Sequence, residues 1–358
     1  MSPLFPTQSP GERLLIAGPC AAESPGLLLE TARQLQAEVG LKYFRAGAWK
    51  PRTAPGGFEG FGEKALSWLC EIRSETGLRV GTEVGTATQA RLALDYGMDF
   101  LWIGARTTGS PFAVEEIAGV LSGQDLPVLV KNPLAPDIDL WTGAIRRLLD
   151  HGISRVGAIL RGFYVGGASV LRNLPFWHLA TEFRKKAPRG LPLLCDPSHI
   201  AGHTRFIPSV LREAAGRGLD GFVIESHSDP AQALTDRDQQ LKPSELAAIL
   251  RNLPQGSDDG DASSGELARL RLLLDKIDEE LITLLRERFA MTEEIGEWKA
   301  CHRLPPHQIE REKVLYATRR EMAHTYNLSE EMTEKIFRLI HAESLARQER
   351  REGKPGKN

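Results

Sequence analysis

RLLIAGPCAAESPGLLLETARQLQAEV (residues 13–39) contains an apolar run, a turn and a helix-length amphipathic segment in immediate succession. The run Leu14 to Ile16 leads through Ala17 into the pair Gly18-Pro19, and a thiol, Cys20, follows at once. A cysteine just past a strand end is either a small buried hydrophobe or a ligand or nucleophile at the mouth of a site. The stretch alone leaves both open.

The same unit recurs along the first 250 residues. Seven more apolar runs follow RLLIAG: LKYFRAG, LRVGTEV, DFLWIGAR, LPVLVKN, RVGAILRG, LPLLCD and DGFVIE. Helix-length segments come after them, among them residues 25–39, 63–76, 86–96 and 111–121. Strands alternating with helices imply a parallel sheet, and eight units over about 250 residues suit a (β/α)8 barrel. A doubly wound open sheet is the alternative. At or just beyond the C-terminal end of the runs stand Cys20, Arg45, Glu83, Arg106, Lys131, Arg161, His199 and Glu225. Barrel active sites are assembled at that face, so the repetition points to a site and not to eight unrelated surface residues.

Bulk properties narrow the function. The formal net charge of −2 gives no electrostatic case for nucleic acid as a partner. Four cysteines without paired spacing argue for reduced thiols and a cytoplasmic location. The first residues lack a basic start and an apolar run, so no signal peptide is expected, and no stretch is long and apolar enough for a membrane span. No Walker-type or GxGxxG loop follows a strand, so a nucleotide is not indicated.

Arg45, Arg106, Lys131 and Arg161 come from four strand ends and would converge on one barrel mouth. They would repel each other unless a dense anion lay between them, and guanidinium forks suit phosphate and carboxylate oxygens. The expected substrate is a phosphorylated carboxylate. The loop KPRTAPGGFEG (residues 50–60) adds two cations and a hydroxyl for a second anion. Cys20, His199, Glu225 and Asp236 offer S, N, O and O donors, a set suited to Mn, Fe, Co or Zn more than to Ca or Mg. Their separation in sequence leaves bland readings for each: a core cysteine, a capping aspartate, a histidine satisfied by a neighbour.

GPCAAES, RAGAWKPRTAPGGFEG, GTEV, IGAR, LVKNP, AILRGF, CDPSHIAG and IESHSDPAQALTDRDQQL, in this order, resemble the metal-dependent DAHP synthases over roughly residues 11–252. The nearest branch is the compact beta type that occurs fused to a mutase. The resemblance implies condensation of phosphoenolpyruvate with erythrose 4-phosphate to DAHP and phosphate. It implies that Arg45, Arg106, Lys131 and Arg161 hold phosphoenolpyruvate, and that Lys50, Pro51, Arg52 and Thr53 take erythrose 4-phosphate, Lys50 reaching both. Cys20, His199, Glu225 and Asp236 would bind the divalent metal. Our own hypothesis is that Glu83 polarises the water that adds at carbon two. The sequence GHTRF departs from the paired basic residues of other members, which leaves Arg205 as a secondary phosphate contact. A metal-free aldolase using Lys131 as a Schiff base is the chemical alternative.

Composition changes near residue 254. LPQGSDDGDASSG (residues 253–265) reads as a flexible linker between a barrel domain, 1–252, and a helical domain, 266–350, with a disordered tail at 351–358. Apolar residues then recur at helical spacing from Leu267 to Leu285, and the helix is expected to reach Cys301 before Pro305-Pro306. Further helices are expected near His307 and Ser329. Three helices of such unequal length cannot bury the long one alone, so a dimer is expected. At about 100° per residue, Arg288 and Lys299 share a face whereas Arg271 points elsewhere, toward a partner. Gln308, Arg311 and Glu312 share a face, as do Ser344 and Gln348.

LRxxxDKID, LLxER, GxxK, IxRE and ESxxxQ resemble the all-helical chorismate mutases. That resemblance implies an intertwined homodimer or higher assembly, with Arg271, Arg288 and Arg311 clamping the two carboxylates of chorismate. Lys299 and Gln348 would donate to the ether oxygen, Glu312 would fix the ring hydroxyl, and Gln308 and Ser344 complete the lining. No cofactor is needed for that rearrangement. Gln308 departs from the Asp often found there. The resemblance also suggests feedback on the barrel by prephenate or chorismate, and the alternative is a helical domain that serves only as a regulatory binding module.

Overall fold

The computed structural model describes residues 4–5, 13–51, 56–164, 171–253, 262–326 and 328–352; within the helix from 262 to 301, side chains are described at 278 and from 281 onward. The chain divides into two compact units, Met1–Asp259 and Gly260–Asn358. Of the expected linker at 253–265, residues 254–261 lie outside the described residues and 262–265 already belong to a helix; of the expected tail at 351–358, residues 351–352 are helical and the rest lie outside the described residues.

The first unit is a closed barrel of eight parallel strands: β1 Leu14–Gly18, β2 Tyr43–Arg45, β3 Arg79–Val84, β4 Phe100–Ile103, β5 Val128–Lys131, β6 Val156–Leu160, β7 Leu193–Cys195 and β8 Gly221–Glu225. Each strand pairs with the next, and β1 pairs with β8 from Leu14↔Gly221 to Gly18↔Glu225, which closes the ring. The doubly wound alternative is excluded by that last pairing.

Helices form where the apolar spacing and the caps agree. Pro25–Val39 starts at Ser24, whose hydroxyl accepts the Leu27 N–H, and ends at Gly40 in a left-handed conformation. It buries Leu28, Thr31, Ala32 and Leu35, the i, i+3, i+4, i+7 stripe of a helix laid on a sheet. Pro111–Leu121 and Ile138–Asp150 are capped in the same way by Ser110 and Asp137.

Two apolar layers follow from the period-two alternation of strands. Leu14, Ile16, Tyr43, Phe100, Trp102, Leu129, Ile159, Leu194 and Val223 face the axis, joined by Leu4 and Phe5 from the N-terminal segment. Ala17, Phe44, Leu101, Ile103, Val128 and Val130 face the surrounding helices. Phe5 lies against Tyr43 at 4.2 Å between ring centroids, so the interior is packed and is not a pore. The inward stripe continues two residues further at the C-terminal face. Tyr43 is followed by Arg45, Gly81 by Glu83, Leu129 by Lys131, Ile159 by Arg161, Leu194 by Asp196 and Val223 by Glu225. Apolar below and charged above is the pattern that makes the mouth.

Among the described residues the second unit has three helices, Ala262–Cys301, Ile309–Thr325 and Glu330–Glu352. The first and the second each pack on the third. Arg303 takes a φ of 53° after the first helix, and Leu304 N–H returns to Lys299 O at 2.9 Å. Ser329 Oγ accepts the Met332 N–H at 3.2 Å and caps the third helix.

Candidate active sites

Cys20 lies just past β1 because the chain turns sharply at Gly18. Gly18 has a φ of 148°, and a Cβ there would sit 2.1 Å from Arg45 O, so this step is closed to any side chain. The turn leaves Cys20 buried at the barrel mouth. Its N–H donates to Gln240 Oε1 at 2.9 Å, and its carbonyl accepts from Arg45 Nη2 at 2.9 Å.

Cys20, Glu225 and Asp236 each offer a ligand atom, and these atoms all lie within 4.8 Å of one another. The thiol donates to Asp236 Oδ2 at 3.1 Å and accepts from Lys50 Nζ at 3.0 Å. Asp236 reaches the group from a left-handed conformation, φ 49°, which an aspartate tolerates at some cost. Of the four expected metal donors, His199 stands at the margin: its Nε2 is 3.9 Å from Glu225 Oε1. Its Nδ1 lies 2.8 Å from Asp196 Oδ2 but out of line for a hydrogen bond.

Charge accounts for the protonation of this group. Burial, with Glu225 second, pushes the Cys20 thiol up to about 12, Lys50 opposing. Burial works to raise Glu225, but His199, Arg45 and Lys50 outweigh it and hold the carboxyl at about 2. Asp236 is held well below the ordinary carboxylate range by Arg172 and His199, again against burial. The set is thus a neutral thiol, two carboxylates and an imidazole that burial keeps toward the neutral form. Such donors fit a borderline divalent cation, whose charge would displace the thiol proton.

Two of the four converging cations do not depend on a substrate for neutralisation, which corrects the expectation of a bare cationic cluster. Arg45 Nη1 pairs with Glu225 Oε1 at 3.0 Å, and Lys131 Nζ with Asp196 Oδ2 at 2.9 Å, all four groups buried. Arg161 Nη1 donates to Asn173 Oδ1 at 2.9 Å, a neutral partner. Burial, with Arg172 and Arg106 nearby, disfavours the Arg161 cation, and Asp196 offsets this in part. Arg45 Nε is buried and has no hydrogen-bond partner among the described residues. Among the described residues the Arg161 side-chain hydrogen bonds thus go to neutral oxygens, those of Gly162 and Asn173, while Arg106 is exposed on a one-turn helix, Ala105–Thr108. Glu83 accepts from Trp102 Nε1 at 2.7 Å, and Trp102 also lies under the Arg45 guanidinium, 5.0 Å from its ring centroid. Pro51 is exposed; Arg52 and Thr53 lie outside the described residues. Arg205 lies over the Phe206 ring, 4.4 Å from its centroid.

The residue-by-residue reading missed the groups that orient this site. Gln239 Nε2 donates to Glu225 Oε2 at 2.6 Å, and Arg172 Nη1 bridges Gln239 Oε1 at 2.7 Å and Asp236 Oδ1 at 2.8 Å. Asp196 carried a signal, since it stands two positions beyond inward-facing Leu194.

In the helical unit, Arg288 Nη1 donates to Ser344 Oγ at 2.7 Å and Lys299 Nζ to Gln348 Oε1 at 3.5 Å. Gly296 permits this approach, because a Cβ there would meet Gln348 Cγ at 2.9 Å. Ser344 and Gln348 are buried, 4% and 7% exposed. Burial lowers both Arg288 and Lys299 from their ordinary values. Glu312 accepts from His307 Nε2 at 2.7 Å and from Tyr316, which hold its carboxyl below the ordinary range. Gln308 and Arg311 are exposed at the start of the second helix. The side chain of Arg271 lies outside the described residues.

Comparison with known proteins places these two units. Residues 8–259 match the DAHP synthetase I family, and residues 270–349 match chorismate mutase type II. A phospho-2-dehydro-3-deoxyheptonate aldolase of Thermotoga maritima is 33% identical over 227 residues, covering 63% of this chain and 64% of that protein. This chain thus spans under two thirds of that relative's length. A 2-dehydro-3-deoxyphosphooctonate aldolase of Helicobacter pylori is 30% identical over 269 residues, covering 67% of this chain and 94% of that one. The crystal structure of the Thermotoga maritima DAHP synthase superposes with a TM-score of 0.61 at 30% identity, covering 67% of this chain and 68% of that one.

Proposed function

The chain belongs to the DAHP synthetase I family and carries a chorismate mutase type II domain behind its barrel, and on that premise we propose how each site works. Two such domains on one chain support a bifunctional shikimate-pathway enzyme. In the barrel, phosphoenolpyruvate and erythrose 4-phosphate condense to DAHP and phosphate. In the helical domain, chorismate rearranges to prephenate. The observation that carries this reading is the joint presence, at one barrel mouth, of a thiol–carboxylate donor group and buried cations next to it.

Arg45, Arg106, Lys131 and Arg161 hold the phosphate and carboxylate of phosphoenolpyruvate, and Arg45 Nε and the Arg161 fork supply donors for its oxygens. Lys50, Pro51, Arg52 and Thr53 take the second phosphate. Lys50 reaches both substrates, a role supported by the position of its ammonium on the Cys20 sulfur at the barrel mouth. The family is generally metal-dependent; Cys20, His199, Glu225 and Asp236 would hold a divalent ion, which would supply Lewis-acid polarisation of the aldehyde substrate. Glu83, fixed by Trp102, faces the cations and orients the water that adds to carbon two.

In the helical domain Arg271, Arg288 and Arg311 clamp the carboxylates, with Ser344 and Gln308 beside them. Lys299 and Gln348 donate to the ether oxygen, whose charge grows as its bond breaks. Glu312 accepts from the ring hydroxyl. Conformational restraint and this electrostatic help suffice without a cofactor. Exposed Leu281, Ile282, Leu284, Trp298 and Leu339 support a dimer through this domain. We assign the domains as 1–252 and 266–350, joined by 253–265. Prephenate is assigned as a feedback effector of the barrel. All four cysteines are free, which supports a reducing, cytoplasmic location.

The test is one coupled assay on the full chain. DAHP formation from phosphoenolpyruvate and erythrose 4-phosphate should stop with a chelator and return with metal, while chorismate loss continues. Preferential formation of a phosphooctonate product would reassign the barrel to the chemistry named for its other relatives. Full activity in chelator with trapping by borohydride would favour a Lys131 Schiff base. No loss of chorismate would leave the helical domain as a binding module, and equal DAHP synthesis with and without prephenate would dismiss the feedback.

A further inference from the structure

One buried polar group of the helical unit has no task in the mechanism above. His341 lies three and seven positions before Ser344 and Gln348, so at about 100° per residue the three fall within roughly 60° of one another on the third helix. Its Nε2 is buried and has no hydrogen-bond partner among the described residues. The ring is set by its surroundings: Tyr316 meets it edge-on at 6.1 Å between centroids, and His307 lies at 6.3 Å. One of its ring nitrogens is within 4.8 Å of a Glu312 carboxylate oxygen, without a direct hydrogen bond between them.

A buried imidazole nitrogen left unpaired costs stability unless a ligand uses it. Lying within 4.8 Å of Glu312 and not bonded to it, the imidazole is close enough for a single ligand oxygen to bond to both side chains. We propose that His341 is a ligand-contacting residue of the mutase site, donating from Nε2–H to the ring hydroxyl of chorismate whose proton Glu312 accepts. The inference rests on the mutase reading above and adds the second half of the hydroxyl's recognition. A hydroxyl donates one hydrogen bond and accepts others, and Glu312 as a carboxylate satisfies only the donor side. His307 cannot serve in its place, because its Nε2 is already committed to Glu312 at 2.7 Å. A bound cation is the competing occupant of His307, Glu312 and His341, whose ligand atoms gather within 4.8 Å. Arg288 and Lys299 act on His341 electrostatically and favour an anionic ligand here over a dication.

The experiment compares the full chain with His341→Leu and His341→Gln, using chorismate and its analogue lacking the ring hydroxyl as a competitive inhibitor. We expect KM for chorismate to rise roughly five- to thirtyfold in His341→Leu, the loss of one buried hydrogen bond, with the analogue's inhibition constant nearly unchanged. His341→Gln, which keeps a donor, should recover part of the loss. Should His341→Leu disturb the helices, seen by circular dichroism, the His341→Gln comparison stands by itself. Unchanged KM and unchanged discrimination in the variants would overturn the inference. So would inhibition of the parent by micromolar Zn²⁺ that the variants escape, since the cluster would then be a cation site. Absence of chorismate turnover in the parent chain would instead defeat the mutase reading itself.

Discussion

A Cβ on Gly104 would lie 2.2 Å from Glu83 Oε1, so the space in which the Glu83 carboxylate sits exists because residue 104 has no side chain. Gly104 has an ordinary φ of −71°, so alanine fits the backbone there and the clash falls on the flexible end of Glu83. Gly104→Ala should therefore fold, break the Trp102–Glu83 hydrogen bond and lower DAHP turnover at least tenfold. A crystal structure with Glu83 unmoved, or unaltered kcat, would contradict this.

Glu83→Gln keeps the shape and removes the charge. Phosphoenolpyruvate binding should persist, while kcat drops by about 10²–10⁴, the usual reach of a positioned acid–base group. Calorimetric binding combined with steady-state rates separates the two quantities. Normal turnover would remove Glu83 from the mechanism.

Cys20 tests the donor group. Cys20→Ala should lower bound Mn, Fe, Co or Zn per chain, measured by elemental analysis after dialysis, and abolish DAHP synthesis. Mutase activity serves as the internal control, since the rearrangement proposed for the helical site calls on no metal held by Cys20. Retained metal and activity would return Cys20 to the role of a core hydrophobe.

Arg45 and Glu225 are both fully enclosed, 2% and 0% exposed, at 3.0 Å. Removing one member leaves a buried charge uncompensated, which costs about 3–5 kcal/mol. Arg45→Ala should lower the barrel's unfolding midpoint in urea, and adding Glu225→Gln should restore part of it. Additive losses would mean that the pair is not coupled.

Glu312 predicts a pH dependence for the mutase. Hydrogen bonds from His307 and Tyr316 place its folded pKa below the ordinary 4.5. A depressed carboxyl stays ionised as the pH falls and gives up its acceptor role only below that lowered value. The acid loss of chorismate affinity that belongs to Glu312 should therefore lie below pH 4.5, and Glu312→Gln should remove it. A midpoint at or above 4.5 that vanishes in Glu312→Gln would contradict the sign.

The barrel was legible because strands write a period of two. Tyr43 and Arg45, Leu129 and Lys131, Ile159 and Arg161, Val223 and Glu225 each put an apolar residue under a charged one. The same rule pointed to Asp196 above Leu194, but its importance depends on Lys131, 65 positions away. His341 was equally hidden. A histidine one turn before Ser344 looks like any half-buried helix residue until Glu312 is brought opposite.

The amino-acid sequence by itself determined the alternation of strands and helices, the rim on which the charged residues stand, and the shared faces of the helical residues. These follow from backbone periodicity and local propensity. Tertiary structure decided which charges are spent on each other. Closure of β1 on β8 sets Gly18 beside Glu225, and from there Glu225 neutralises Arg45, its partner from 180 positions earlier. Ion pairing falls off with distance through space, and only the closed ring fixes those distances.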